Sequence, residues 1–294
     1  MHRIGSSWLA IAILLGIPAA GIAQDKYFVS DGVRIRYIDQ GTGEPIILLH
    51  GLGGSVESWS TVGILQDLAS DHRVIAFDAR GHGKSDKPHD PKLYGRQMAL
   101  DVVRLLDHLG IRRAHVVGYS LGGMLTSQLL TLRPDRFITA TLIAGGGRFG
   151  VSPEAEREME QQAQEVEAEC VSRSLIIALA PADMPKPTDD RIKELSKECF
   201  ADSTRDRFAT AALMRSRSDQ VVSPAVAARI TVPTLGIVGS VDGMKRALDS
   251  LAAMRPDVKI VVVDGATHAG PRGILTRPEL MPALREFISA HPAR

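Results

Sequence analysis

A glycine-flanked serine is the feature that most constrains the fold of this chain. Ser120 stands between Gly118 and Gly122 in a G-x-S-x-G pattern. A short apolar run precedes the pattern, and helical spacing begins at Leu121. A serine on a sharp turn between a strand and a helix needs strained backbone angles, and the flanking glycines remove side chains that would collide there. The pattern therefore predicts a nucleophile elbow, with helix amides free to face a developing negative charge.

Strand and helix patterns alternate on both sides of this turn. Val33, Ile35 and Tyr37 alternate with arginines, which predicts a half-exposed strand near a sheet edge. Further strands are predicted at 46–49, 74–77, 114–117, 137–143, 235–238 and 258–263. The runs at 46–49 and 74–77 are continuously apolar, which is typical of strands covered on both faces by helices. Segments with helical spacing lie between most of these predicted strands. The sequence thus predicts an α/β fold with a mostly parallel, doubly wound sheet, whose ligand site lies at the strands' carboxyl ends.

The strand signals stop between residues 148 and 221. Helical patterns begin there near Ser152, Thr188 and Asp206. We therefore assign residues 24–147 and 222–294 to the α/β core, and residues 148–221 to an inserted helical cap.

Residues 1–23 have the pattern of a signal peptide. His2 and Arg3 precede a short apolar core, and small residues follow at Gly21 and Ala23. Cleavage after Ala23 is expected to leave no stable membrane anchor and to export the chain to the periplasm or the medium. The alternative is an uncleaved anchor, because an uncharged run of about 20 residues can just span a bilayer.

A serine hydroxyl needs a general base and a group that orients that base. His268 is the candidate base, because it follows the last strand and so shares the sheet edge of Ser120. Asp242 is the candidate acid, because it follows the strand at 235–238, and Asp264 is the second choice. The chain order serine, aspartate, histidine agrees with this assignment.

Two backbone amides are expected to form an oxyanion hole. Leu121 directly follows the candidate nucleophile, and Leu52 follows His50 and Gly51 at a strand end. The alternative for the glycine-rich loop at 50–54 is a phosphate cradle, but it has neither G-x-x-x-x-G-K-[ST] nor G-x-G-x-x-G.

These motifs together resemble the α/β-hydrolase superfamily. The resemblance covers about residues 25–147 and 222–290 through segments 50–54, 78–85, 118–123, 239–242 and 265–268. It implies a variable helical cap after the sixth strand and a serine esterase-like member. Haloalkane dehalogenases and epoxide hydrolases of this fold have aspartate where this chain has Ser120, which disfavours both activities.

The sequence therefore predicts an exported serine hydrolase that cleaves small to medium, uncharged or apolar carboxylic esters without a cofactor. Lactone, thioester, carbon–carbon bond hydrolysis, acyl transfer and perhydrolysis would use the same residues. A metal-dependent hydrolase is disfavoured because neither H-x-H nor H-E-x-x-H occurs. A non-catalytic ligand-binding protein is also disfavoured, because it would be expected to lack a triad member and all three candidates are present. The net charge of +1 gives no basic patch for nucleic acid.

The chain has two cysteines, Cys170 and Cys199. Each continues the apolar stripe of its own predicted cap helix, and exported chains form disulfides in oxidising compartments. We expect the two to pair. The alternative is two separate buried thiols, because pairing requires Cα atoms within about 7 Å.

Overall fold

The computed structural model describes residues 24–150 and 152–293. The predicted signal peptide lies outside this range. The described residues form an eight-stranded sheet, with strands β1 (Lys26–Ser30), β2 (Val33–Gln40), β3 (Pro45–Leu49), β4 (Arg73–Phe77), β5 (Ala114–Tyr119), β6 (Phe137–Ile143), β7 (Thr234–Gly239) and β8 (Lys259–Val263).

The sheet is doubly wound, as the sequence predicted. Its spatial order is β1-β2-β4-β3-β5-β6-β7-β8. The pairs β1–β2 and β2–β4 are antiparallel, and every pair from β4 to β8 is parallel. The central position of β5 places its carboxyl end, where Ser120 follows, in the middle of the sheet edge that binds ligands in such folds.

Helices cover the sheet and fill the connections. They are α1 (Glu57–Ser60), α2 (Ile64–Leu68), α3 (Arg96–His108), α4 (Leu121–Leu132), α5 (Pro153–Glu169), α6 (Arg173–Leu179), α7 (Asp189–Ala201), α8 (Arg207–Arg215), α9 (Pro224–Ala227), α10 (Lys245–Met254) and α11 (Leu280–Ser289). None of these helices is long and apolar enough to cross a membrane, within the residues that the structure describes.

Helices α5 to α8 stand between β6 and β7, in the segment that the sequence assigned to a cap. A small apolar cluster of Ala163, Ala211 and Met214 joins α5 to α8, and Leu52 of the core packs against it. Two ion pairs, from Arg215 to Glu160 and Glu167, hold the same two helices together. The inserted helices therefore lie over the loop that follows β3.

A disulfide connects Cys170 and Cys199 in the structure, with their Cα atoms 5.9 Å apart. Cys170 is the residue that ends α5, in a left-handed conformation with φ 61°, rather than a member of the helix. Cys199 lies within α7 and is buried. The bond joins the end of the first inserted helix to the third one, since α6 intervenes.

One expectation about polar side chains was wrong. Arg36 was expected to face solvent with Arg34, but it is buried and forms ion pairs with Asp25, Glu57 and Asp78. A buried guanidinium is tolerated because carboxylates surround it. His115 is also fully buried. Both residues owe their burial to partners distant in the sequence.

Candidate active site

The turn after β5 has the strained geometry expected of an elbow. Ser120 has φ 53° and ψ −113°, and it immediately precedes α4. A Cβ atom on Gly118 would overlap the carbonyl oxygen of Gly122, and one on Gly122 would overlap that of Leu49. The Ser120 amide donates to the carbonyl of Ile143 at 2.9 Å, which fixes the turn to β6. Only glycine therefore fits at positions 118 and 122, two residues before and two residues after this serine.

The structure brings the predicted base to the predicted nucleophile. His268 Nε2 lies 3.0 Å from Ser120 Oγ. On the other side of the ring, Nδ1 lies 3.1 Å from each carboxylate oxygen of Asp242. The side chain of Asp242 is 0% exposed. A carboxylate so placed favours the tautomer with the proton on Nδ1, which leaves Nε2 free to accept from the hydroxyl.

Asp242, rather than the second choice Asp264, therefore faces the imidazole. Its position is fixed by the Met244 amide, which donates to Asp242 Oδ1 at 2.8 Å. Asp264 is exposed and accepts a hydrogen bond from Ser240 Oγ at 3.2 Å. Both aspartates follow strand ends, but only the first is enclosed beside His268.

Tyr119 is part of the site, and the sequence reasoning missed it. Its hydroxyl donates to the His268 carbonyl at 2.7 Å. The two rings are stacked, with centroids 5.5 Å apart and an interplanar angle of 28°. Burial raises the pKa of Tyr119, with a smaller contribution from the charge of Asp242, so the hydroxyl remains a donor. Its place in G-x-S-x-G accepts any residue, and the pattern alone therefore gave no signal.

The predicted oxyanion amides belong to residues in the cavity wall that also holds Ser120 Oγ. Leu121 is the first residue of α4, whose first amides have no partner within the helix. Leu52 lies in a turn closed by the Gly54 amide, which donates to the Gly51 carbonyl at 3.0 Å. The amides of Leu52 and Leu121 therefore remain the candidate oxyanion hole.

His50 fixes the loop that carries Leu52. Its Nε2 accepts from the Ala79 amide at 3.0 Å, and its Nδ1 lies 2.8 Å from the Gly51 carbonyl. Burial lowers the pKa of His50, and a neutral ring with its proton on Nδ1 satisfies both contacts. The histidine thus supports the loop structurally.

His82 lies next to His50, with ring centroids 5.1 Å apart. Burial, with a smaller contribution from the neighbouring His50, lowers the pKa of His82 to about 3. Its Nδ1 lies 3.1 Å from the carbonyl of Arg80. Its Nε2 is enclosed and has no hydrogen-bond partner in the described part of the chain.

Two cavities meet beneath the inserted helices. The one that contains Ser120 and His268 has a volume of about 210 Å³ and largely apolar walls. The second, of about 440 Å³, includes His82 and several charged residues of the insertion. They have four wall residues in common, Leu52, Leu175, Leu179 and Met214. The two cavities are therefore neighbours on either side of these four residues.

No cluster of three or more histidine, cysteine or acidic side chains that could hold a metal occurs within residues 24–150 and 152–293. The charged network nearest the site is structural. Asp78 binds Arg36 and accepts hydrogen bonds from the amides of Val56 and Lys84, at 2.7 and 2.8 Å.

Comparison with known proteins agrees with this architecture. A family model described as alpha/beta hydrolase fold matches residues 44–169. The dihydrolipoyllysine-residue acetyltransferase component of the acetoin cleaving system from Cupriavidus necator is 40% identical over 124 residues, which are 41% of this chain and 31% of that protein. The matches span less than half the length of the first curated relatives.

Solved structures resemble nearly the whole chain. A thermophilic esterase from Thermogutta terrifontis is 23% identical with a TM-score of 0.73, and the alignment covers 92% of this chain and all of that one. Est816, described as an N-acyl homoserine lactone degrading enzyme, is 27% identical with a TM-score of 0.70, over 90% of this chain and all of that one.

Proposed function

We propose that this chain, a member of the α/β-hydrolase superfamily, is a serine hydrolase that cleaves carboxylic esters. The observation that carries the proposal is the continuous set of contacts from Asp242 through His268 to Ser120, at 3.1 and 3.0 Å, beside an apolar cavity. Hydrolase activity agrees with the fold and with the names of several relatives. The serine mechanism and the ester specificity are our inference.

The proposed reaction begins when Ser120 Oγ attacks the ester carbonyl and His268 Nε2 takes the hydroxyl proton. The amides of Leu52 and Leu121 stabilise the oxyanion, and Asp242 stabilises the imidazolium. His268 then gives the proton to the leaving alcohol, which leaves an acyl-enzyme on Ser120. A water molecule, activated by the same histidine, attacks the acyl carbonyl and releases the acid.

The cavity walls support an acyl group with an apolar body. Leu213, Met214, Met124 and Met244 line the cavity of Ser120, and apolar surface removed from water favours such a group by about 25 cal/mol per Å². Lactones, thioesters, carbon–carbon bonds and transfer to another acyl acceptor remain alternatives because they use the same groups. The lactone alternative has a specific basis in the likeness to Est816.

We also propose that the protein acts outside the cytoplasm. The predicted leader at residues 1–23 is the basis of this proposal, and the disulfide between Cys170 and Cys199 supports it, since such bonds persist in oxidising compartments. Expression of the full chain with a reporter, followed by fractionation and N-terminal sequencing, tests it. A mature protein that begins after Ala23 is expected, and a cytoplasmic full-length protein would contradict the proposal.

A panel of chromogenic acyl esters of rising chain length, with a matched amide and a lactone, tests the reaction class. Esters of short to medium chains are expected to turn over, with the amide at least about a hundredfold slower. The Ser120→Ala variant should lose this turnover and keep its circular dichroism spectrum. Faster cleavage of the lactone than of any open ester would replace the esterase proposal with the lactonase one.

A further inference from the structure

Among the residues that line the cavity that contains Ser120, Arg217 is the one with a permanently charged side chain. Arg217 lies on the 3₁₀ segment Ser216–Gln220, which follows α8. The other wall residues of this cavity are apolar or belong to the candidate catalytic groups. A guanidinium in such a wall is unexpected for a site that binds hydrocarbon alone, because desolvating a charge is costly.

The core of the protein fixes the segment that carries Arg217. The Gly95 amide donates to Ser216 Oγ at 2.9 Å, and Gln128 Nε2 donates to the Asp219 carbonyl at 2.8 Å. Gln128 belongs to α4, the helix that begins directly after Ser120. Arg217 therefore projects from a segment that is attached to the same helix as the candidate nucleophile.

The contacts of Arg217 leave its charge uncompensated. Its Nη1 donates to Gln162 Oε1 at 2.9 Å and lies 3.3 Å from Met214 Sδ, and both partners are neutral. Its Nε is enclosed without a hydrogen-bond partner. Within residues 24–150 and 152–293, no carboxylate oxygen lies within 4.0 Å of this guanidinium. By contrast, Arg215, two residues earlier, binds Glu160 and Glu167.

A second guanidinium adds positive charge to the same neighbourhood. Burial, followed by the charge of Arg148, lowers the pKa of Arg217 to about 9, so the side chain is still a cation at neutral pH. The Nε of Arg148 is also enclosed without a partner among the described residues. An anion bound next to Arg217 would offset this repulsion.

We propose that Arg217 binds a carboxylate of the substrate, so that the preferred esters carry one anionic group besides the bond that is cleaved. This inference rests on the proposed ester hydrolysis and replaces an uncharged substrate with a half-ester of a dicarboxylic acid or an ester of a hydroxy acid. A carboxylate is the ligand of choice because the guanidinium offers it several charge-assisted hydrogen bonds. Arg217 is a binding residue in this proposal, and the triad keeps its roles.

Matched esters test the proposal. The mono-4-nitrophenyl ester of adipic acid carries a carboxylate at the end of its chain, and 4-nitrophenyl hexanoate has the same chain length without charge. A second pair, 4-(butanoyloxy)benzoate and phenyl butanoate, carries the charge on the alcohol side. The quantity measured is the ratio of kcat/KM for the charged ester to that for its neutral partner. It is compared in the wild type, Arg217→Gln, Arg217→Lys and the exposed control Arg191→Gln.

The wild type is expected to prefer the charged member of at least one pair. Arg217→Gln should lower that ratio by about 10- to 100-fold, the loss expected for a hydrogen bond to a charged group. The change should appear mainly in KM, because binding is uniform in ground and transition state. Arg217→Lys should restore part of the ratio, and Arg191→Gln should leave it unchanged. The control Arg191→Gln should hydrolyse the neutral esters at the wild-type rate.

Two other outcomes separate failure of the carboxylate site from failure of the proposed hydrolysis. If the wild type hydrolyses the neutral esters and Arg217→Gln changes neither ratio, the carboxylate site is refuted and the serine hydrolase stands. If no ester is cleaved, the proposed function fails, and calorimetric binding of adipate to Ser120→Ala decides the site separately. Adipate binding that Arg217→Gln abolishes would support the site, and no binding to Ser120→Ala would refute it.

Discussion

Acid is expected to destabilise this fold through His82. The imidazole is 4% exposed, and its burial beside His50 lowers its pKa to about 3 from the ordinary 6.5. A histidine with a lowered pKa in the folded state binds its proton more readily when the chain is unfolded. Stability is therefore complete above pH 6.5 and is lost as the pH falls from 6.5 toward 3.

The size of the effect follows from these two values. At pH 4.5, two units below the ordinary value, protonation of this one histidine stabilises the unfolded chain by about 2 to 3 kcal/mol. The substitution His82→Asn removes the titrating group and keeps a donor that can reach the carbonyl of Arg80, which His82 Nδ1 contacts at 3.1 Å. The variant should therefore lose less stability in acid than the wild type.

The assay is urea unfolding of the wild type and His82→Asn at pH 7.5 and pH 4.5. The wild type should lose about 2 to 3 kcal/mol more free energy of unfolding between the two pH values than the variant does. Stability at pH 7.5 alone does not enter this comparison, so any packing cost of the substitution cancels. Equal losses in both proteins would refute the account of His82 as a buried neutral imidazole.

Three further outcomes are expected. Asp242→Asn should lower kcat by about 10³- to 10⁴-fold with little change in KM, while Asp264→Asn should stay near wild type; the reverse would assign the acid to Asp264. Tyr119→Phe removes the 2.7 Å hydrogen bond to the backbone carbonyl of His268 and should lower kcat about tenfold. An unchanged kcat would show that ring stacking alone is enough to position His268. Reducing the disulfide between Cys170 and Cys199, 29 residues apart, should lower the stability of the inserted helices by about 3 to 4 kcal/mol. Hydrogen exchange should then become faster in these helices than in the sheet. Two free thiols in the denatured, unreduced protein would contradict the pairing.

Local patterns were enough to predict most elements of the sheet and three of the inserted helices. The caps of those helices are an example. Ser152 Oγ accepts from the Ala155 amide at 3.2 Å, and Thr188 Oγ1 accepts from the Arg191 amide at 3.3 Å. Such contacts join residues three apart, so their signal is present in the sequence itself. The two short helices α6 and α9 were missed because neither has a long apolar stripe.

Burial of polar residues could not be predicted in the same way. The alternation around Arg36 favoured an exposed side chain, but Asp78 and Glu57 provide carboxylates from distant segments. His115 is buried because Thr139 Oγ1 and Glu44 lie 2.8 and 3.3 Å from its ring nitrogens. The strand order determines which partners lie next to a side chain. The periodicity of a single segment gives no information about that order.

The residues of the candidate site differ in the same way in how far the sequence predicts them. Ser120, Asp242 and His268 were predictable because each follows a strand end, and parallel strands bring their carboxyl ends to one edge. Tyr119 and Arg217 were not, since one depends on the position of the His268 backbone and the other on how the inserted helices return to the core. Activity measurements on variants test the roles of Tyr119, Arg217 and the triad.

Covalent labelling of Ser120 tests the central claim most directly. A fluorophosphonate reacts with a hydroxyl only where a base activates it, and Ser120 Oγ lies 3.0 Å from His268 Nε2. Mass spectrometry of the labelled wild type should find one adduct per chain, on the peptide that contains Ser120, and its formation should abolish ester hydrolysis. Ser120→Ala should take up no label and keep its fold. An adduct on another serine, or undiminished hydrolysis by Ser120→Ala, would contradict the account.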